Sequence, residues 1–289
     1  MRLCYFERDP NFGDALNPWL WKKLLPDLIN NDDRLAFVGI GTLINNWLPK
    51  RTSYAKKRVI FGTGAGYNQP YVPDDSFRVY CLRGPLSAQA LNLPESLGIT
   101  DAGVLFRAVY QATEPKRYPF SYIPHYQSSA GPWQQICDDI GFGYIDPCRP
   151  VDEVLTLISQ SEVVVTEAMH GAIISDALRA PWIPVKTNPA ILPFKWNDWC
   201  KSVDQPYVPN LLELVGPSSS ARDWKTPLRR VKHRLKRGRV AKALRRIANE
   251  SQPYLSSDRR IESLTQQMLE KLEQFQQDLK TDPFFESVR

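Results

Sequence analysis

Residues 163–174 read Val-Val-Val-Thr-Glu-Ala-Met-His-Gly-Ala-Ile-Ile. An unbroken β-branched run fits a strand buried on both faces, as in a parallel sheet covered by helices. The run stops at Thr166-Glu167, and His170-Gly171 open an amphipathic helix through Leu178. A strand that feeds straight into a helix confines the chain to α/β architecture and puts His170 at the carboxyl edge of the sheet, where such folds bind ligands. Its imidazole titrates near neutral pH and can donate a proton. The helix start beside it favours anions. A packed cap residue is the plainer reading of the same histidine.

The alternation recurs along the chain. Strand patterns at 2–7, 34–40, 58–61 and 77–82, with a closing strand-like stretch at 97–105, interleave with helical patterns at 15–25, from Gly41-Thr42 to Trp47, and from Pro85, which suits a first helical turn. Residues 111–118 are polar, contain Pro115 and read as a linker. Strands at 120–124, 143–145, 163–166 and 181–186 then alternate with helices at 133–140, 151–159, 170–178 and 194–203. The expectation is an α/β protein of two Rossmann-like domains facing across a cleft, 1–112 and 113–215, with a helical extension at 216–289; the length of 289 residues suits two domains.

Charge separates the extension from the rest. Between Lys225 and Arg246 there are 11 Lys and Arg and no Asp or Glu, while the whole chain is only +6, so the globular part is acidic. Nucleic-acid or membrane contact therefore belongs to that segment. Leu228, Val231, Leu235, Leu244 and Ile247 lie near one face of it, and Gly238 weakens its middle. After Gly216-Pro217-Ser218-Ser219-Ser220 and the basic run, Ile261, Leu264, Met268, Leu272, Phe275 and Leu279 recur at helical spacing behind a Ser256 or Ser257 cap. Packing on the parent domain is the expected use of that face; a short coiled coil, and hence a homodimer, is the second. No apolar run reaches membrane-spanning length, and the charged N-terminus lacks a signal-peptide pattern. Five scattered cysteines without a Cys-x-x-Cys pair speak for reduced thiols in a cytoplasmic setting and against a zinc site.

The candidate site residues gather at strand ends. Arg83 follows the 77–82 strand, where its guanidinium fork suits a carboxylate or phosphate; a surface salt bridge is the alternative. Lys186 ends another strand and can neutralise a second anion, or be simply solvated. His125, after Ile123-Pro124, is placed to bind sugar hydroxyls or phosphate, or to make a structural hydrogen bond. Gly62, Gly64 and Gly66 let backbone approach a ligand but lack the spacing of a dinucleotide fingerprint. Asn11-Phe12-Gly13-Asp14 opens the first helix toward the same cleft, with Asp14 a cap candidate. Glu167 can orient His170 or hold an acceptor hydroxyl. No grouping has metal-ligand spacing, so no metal is expected.

Asn11-Phe12-Gly13-Asp14-Ala15-Leu16, Arg83-Gly84-Pro85-Leu86-Ser87 and Glu167-Ala168-Met169-His170-Gly171-Ala172-Ile173 occur in that order. Together they resemble the polysaccharide pyruvyl transferase family. With the later Phe194-Lys195-Trp196-Asn197-Asp198-Trp199, the resemblance is to the ketal pyruvate transferases of bacterial exopolysaccharides such as succinoglycan and xanthan, over roughly residues 1–208. It implies a GT-B-like fold, phosphoenolpyruvate as co-substrate without a resident cofactor, and transfer of its enolpyruvyl group to a sugar as a pyruvate ketal. His170 would be the general acid; Arg83, Lys186, His125 and Gly171 would bind the donor. Asn11, Gly13, Asp14, Gly64 and Glu167 are expected at the acceptor or elsewhere in the cleft. The family's acid after the arginine is Gly84 here, and an arginine two residues before the histidine is Ala168, a contact that His125 or Arg149 could supply. The acceptor would be a lipid-linked oligosaccharide or other sugar, with the basic helix at 225–247 lying on the anionic inner face of the cytoplasmic membrane. A nucleotide-sugar glycosyltransferase of the same fold, and a nucleic-acid-binding protein acting through the basic helix, are the alternatives.

Overall fold

The computed structural model describes residues 1–216 and 227–289, with side chains throughout except at 227–230. The serine-rich stretch at 217–220, Lys225 and the side chain of Leu228 therefore lie outside the described residues.

Two all-parallel sheets organise the chain. The first runs β1 (Arg2–Cys4), β2 (Leu35–Val38), β3 (Lys57–Phe61), β4 (Phe77–Cys81), in that spatial order. The second places β7 (Ser161–Thr166) at its centre, between β5 (Tyr118–Ile123) and β8 (Trp182–Lys186), with β6 (Gly143–Tyr144) and β9 (Asn210–Leu211) at the edges. The continuous valine run explains the central place: Val164 and Val165 are fully buried, and only a strand covered on both faces tolerates such a sequence.

Seven helices connect these strands: α1 (Phe12–Leu24), α2 (Leu48–Arg51), α3 (Pro85–Ala90), α4 (Trp133–Ile140), α5 (Val151–Ser159), α6 (Met169–Ala177) and α7 (Pro193–Ser202). Their ends follow capping chemistry. Asn11 accepts from Gly13 N at the start of α1, and Gly141 closes α4 in the left-handed conformation at φ 74°.

Two sequence expectations fail locally. Residues 97–105 do not form a closing strand. They form 3-10 turns at Glu95–Leu97 and Ala102–Ala108, because the Asp101 carboxylate caps Gly103 N at 2.8 Å and offers the backbone a tighter local partner than a sheet. The apolar residues that suggested a strand, Val104, Leu105 and Phe106, are buried in the core beside α6 instead. No helix follows Gly41-Thr42 either: Asn45 Oδ1 accepts from Trp47 N, and α2 starts only at Leu48.

The C-terminal helices divide. α8 (Pro227–Glu250) docks on α4 and buries Val240, Ala241, Leu244 and Ile247. It passes through Gly238 unbroken. The apolar stripe expected to face a membrane is thus half consumed by the protein's own core, leaving Val231 and Leu235 outside. α9 (Asp258–Thr281), capped by Ser257, crosses back to the first sheet. There Phe275 packs 5.6 Å from Phe37 and 5.4 Å from Tyr80, and Tyr80 Oη donates to Asp278 at 2.9 Å. The face that left room for a dimer is used within the chain, each of its buried apolar side chains contributing roughly 1.5–3 kcal/mol.

Candidate active site

The carboxyl ends of both sheets converge on one cleft of about 760 Å³, lined from each half. β7 ends where Thr166 Oγ1 donates to Ala168 O at 2.8 Å. This turn sets Ala168 at the start of α6, where no side chain caps the helix. The open N–H groups and the helix dipole therefore favour an anion beside His170. Gly171 serves this turn rather than a ligand, since a Cβ there would overlap Thr166 Oγ1.

His170 is held by close packing. A side chain at Gly13 would overlap its Nδ1, so the glycine lets α1 press on the imidazole. Its Nε2 is buried without a hydrogen-bond partner and stands 3.8 Å from Asp101 Oδ1. Burial, with Lys195 and Arg83 nearby, lowers its pKa to about 3. The ring is neutral at neutral pH, not the neutral-range titrator that its residue type suggests. Asp101 is fully buried, its Oδ2 has no partner, and burial raises its pKa to about 7.

Arg83 is fully buried beneath the cleft, and its fork is already occupied. Nε donates to Asp198 at 2.9 Å, Nη1 to Thr42 Oγ1 at 2.7 Å and to Gly41 O, and Nη2 to Ala65 O at 2.9 Å. Gly64 makes room for that guanidinium, a Cβ there overlapping it. The glycine run thus admits a protein side chain instead of a ligand, and Arg83 reaches the cleft through its field and not through a free fork.

The remaining candidates separate clearly. Asp14 lines the cleft. It accepts from Asn11 Nδ2 at 2.7 Å, and burial raises its pKa to about 6; Asn11, not Asp14, is the cap of α1. His125 also lines the cleft, its Nδ1 accepting from Gln127 N and its pKa lowered to about 4, first by burial and then by Lys195. Glu167 is buried and saturated by His125 N, Thr187 N and Oγ1, and Asn188 N. It ties the loops after β5 and β8 together and has no capacity left to orient His170 or bind a hydroxyl. Lys186 does not line the cleft; its backbone carbonyl accepts from Leu212 N where β8 pairs with the end of β9. Arg149 is half exposed and pairs with Glu153.

A family model for polysaccharide pyruvyl transferase matches residues 8–189, a span that contains this whole constellation apart from α7. The chain belongs to that family. It is also 40% identical over 218 residues to the succinoglycan biosynthesis protein ExoV of Rhizobium meliloti (strain 1021), covering 72% of this chain and 67% of that one. It is therefore a pyruvyl transferase, a class of enzyme whose acceptor is a sugar or polysaccharide.

Within this pyruvyl transferase the departure at Gly84 has a spatial answer. Asp198 packs where a side chain at Gly84 would project, pairs with Arg83 and accepts from Ser87 N and Oγ. The acid absent beside the arginine arrives from α7. The same helix brings Lys195 into the cleft, where its Nζ donates to Tyr67 Oη at 3.1 Å. Asp101, Lys195 and Asp198 had not been singled out as site residues. The Asp101-Ala102-Gly103 cap signal marked the first; the other two lie in the 194–199 segment that carries the family resemblance, which by itself gave neither a role.

Proposed function

We propose that the enzyme transfers the enolpyruvyl group of phosphoenolpyruvate to a sugar of a bacterial exopolysaccharide repeat unit as a pyruvate ketal, between GT-B-like lobes, with no resident cofactor. The observation that carries this reading is His170 at the uncapped start of α6, inside a cleft that Arg8, Lys50, Arg51, Arg83 and Lys195 also line. The donor is a carboxylate and a phosphate on one small carbon frame, and this cationic lining suits both. Arg83 supplies potential from below; Lys195 and His125 are the side chains best placed to touch the donor.

Burial removes water from His170, and Lys195 and Arg83 oppose a further positive charge, so the ring is neutral before an anion joins it. A bound donor brings negative charge and offsets that opposition. His170 then takes up a proton and delivers it from Nε2 to the methylene carbon, which becomes the methyl group. The oxocarbenium-like centre is attacked by one sugar hydroxyl; a second displaces phosphate and closes the ketal. A positioned acid of this kind contributes about 10²–10⁴ in rate.

Trp47, 51% exposed, and Tyr67, 44% exposed, line the cleft and offer flat faces to sugar rings, which supports an acceptor on that side. A lipid-linked acceptor fits a protein that rests on an anionic membrane face through the first turns of α8. Val231 and Leu235 are exposed there among Lys232 and Arg234. Among the described residues no helix is long and apolar enough to cross a membrane.

The test is phosphate release from phosphoenolpyruvate, with and without a membrane extract containing lipid-linked oligosaccharide. Acceptor-dependent release, a pyruvate mass on the glycan, and loss of both in His170→Ala with folding intact are expected. Absence of release with any extract, alongside binding of a nucleotide sugar, refutes the reading in favour of a glycosyltransferase.

A further inference from the structure

The reaction proposed above moves protons both ways: one onto carbon, and one off the attacking hydroxyl. His170 accounts for the first. Buried polar atoms are nearly always paired, yet two at the wall of this cleft, His170 Nε2 and Asp101 Oδ2, are buried with no partner among the described residues. The carboxyl is fixed by Oδ1, which accepts from Gly103 N at 2.8 Å and stands 3.8 Å from the imidazole. Two unpaired buried positions on neighbouring side chains mark a place that a third group can complete.

We propose that Asp101 is a second catalytic residue of this transferase, the base that takes the proton of the attacking sugar hydroxyl while His170 protonates the donor. This rests on the pyruvyl-transfer reading. In the first addition the sugar O–H bond breaks and its oxygen bonds to C2 of the donor. The C2=C3 electron pair takes the Nε2 proton, and the hydroxyl proton goes to Asp101. The step leaves a neutral imidazole and a protonated carboxyl, and transfer across the gap between them restores the starting pair. In the second addition another hydroxyl oxygen bonds to C2. The C2–O bond to phosphate breaks with its electrons, and the proton leaves on the phosphate. No proton is consumed from the protein over the cycle.

The surroundings support this order. Arg83 and Asp198 lie behind the pair, Lys195 reaches in from α7, Asp14 lines the cleft from α1 and His125 from the end of β5. Burial favours the proton on the carboxyl, which is raised to about 7, over the imidazole, which is lowered to about 3. An anionic donor beside His170 draws that proton across and leaves Asp101 ionised, ready to act as base.

The experiment is Asp101→Asn beside Asp101→Ser, with His170→Ala as reference. Both Asp101 variants keep an oxygen to cap Gly103 N. The expected result is a fall in kcat of about 10²–10³, KM for phosphoenolpyruvate within about threefold, a thermal midpoint at pH 6 no lower than the wild type's, and an alkaline limb of the kcat profile moved to lower pH. That last shift is one a merely structural cap does not produce. Wild-type kcat and profile in Asp101→Asn, with His170→Ala inactive, overturn the proposal and leave pyruvyl transfer standing. A wild-type enzyme that releases no phosphate with any acceptor extract overturns both.

Discussion

Asp198→Ala is expected to be among the most damaging substitutions outside the apolar core. The Asp198 carboxylate is fully buried and answers three donors, Arg83 Nε, Ser87 N and Ser87 Oγ. Once it is gone, the Arg83 guanidinium retains only neutral oxygens of Gly41, Thr42 and Ala65 around a full charge that water cannot reach. Removing one partner of a buried pair costs about 3–5 kcal/mol. At roughly 2–4 °C per kcal/mol for a chain of this size the midpoint should drop by roughly 6–20 °C. Asp33→Ala is the internal control. It breaks the exposed Arg2 pair, 3.0 Å long with side chains 49% and 57% exposed, and should cost less than about 1 kcal/mol. Thermal and urea unfolding should be followed by far-UV dichroism and tryptophan fluorescence together, because the two halves can melt separately. Adding Arg83→Met to Asp198→Ala removes the stranded charge, so the double variant should lose less than the sum of the singles. An Asp198→Ala protein that melts like Asp33→Ala, or strict additivity in the double variant, would refute the claim that this pair pins α7 to the first half.

Three further outcomes are expected. Gly13→Ala should push the His170 ring off its position and lower kcat by about 10²-fold, with a smaller change in midpoint, since misplacements near 1 Å suffice for such losses; steady-state kinetics beside a thermal melt checks it. Gly238→Ala meets open space in the middle of α8 and should stabilise the protein by about 0.5–1 kcal/mol, read as a shifted urea midpoint at constant slope. The folded state raises the Asp101 pKa from 3.8 to about 7, so between those values it binds more protons than the unfolded chain and loses stability as pH rises. Asp101→Asn should therefore gain on the wild type between pH 5 and pH 8, by at most about 3 kcal/mol; equal differences in midpoint at the two pH values would refute the assignment. His170 and His125, both lowered from 6.5, act in the opposite sense and cost stability in acid, in the wild type and variant alike.

Much of the fold was legible because its signals are local. The valine run identified β7, and Pro85 and Pro193 sit in the first turns of α3 and α7. The stretch at 97–105 misled because apolar content mimics a strand, while the Asp101 cap that overrides it depends on one side chain. The placements of His170, Arg83, His125, Asn11 and Asp14 around one cleft follow from strand ends, which sequence periodicity finds. What the side chains do there does not follow. Arg83 reads as a ligand clamp until Thr42, Ala65 and Asp198 occupy its fork, and these come from three separate segments. Glu167 reads as available until the loops after β5 and β8 close on it. Lys195 supplies the cleft charge expected of Lys186, nine positions earlier, because α7 leans on α3.

The return of α9 to the first sheet has a consequence for how the protein is made. Phe37 and Tyr80 find their cover in Phe275, and Phe275 in turn meets Phe285. During synthesis at about 5–20 residues per second, that face of the first sheet therefore waits roughly 10–40 s for its lid. The opening half of the chain is thus an incomplete folding unit on the ribosome, a natural client for chaperones. A premature stop before α9 would release a protein with its catalytic segments intact and its first core uncovered.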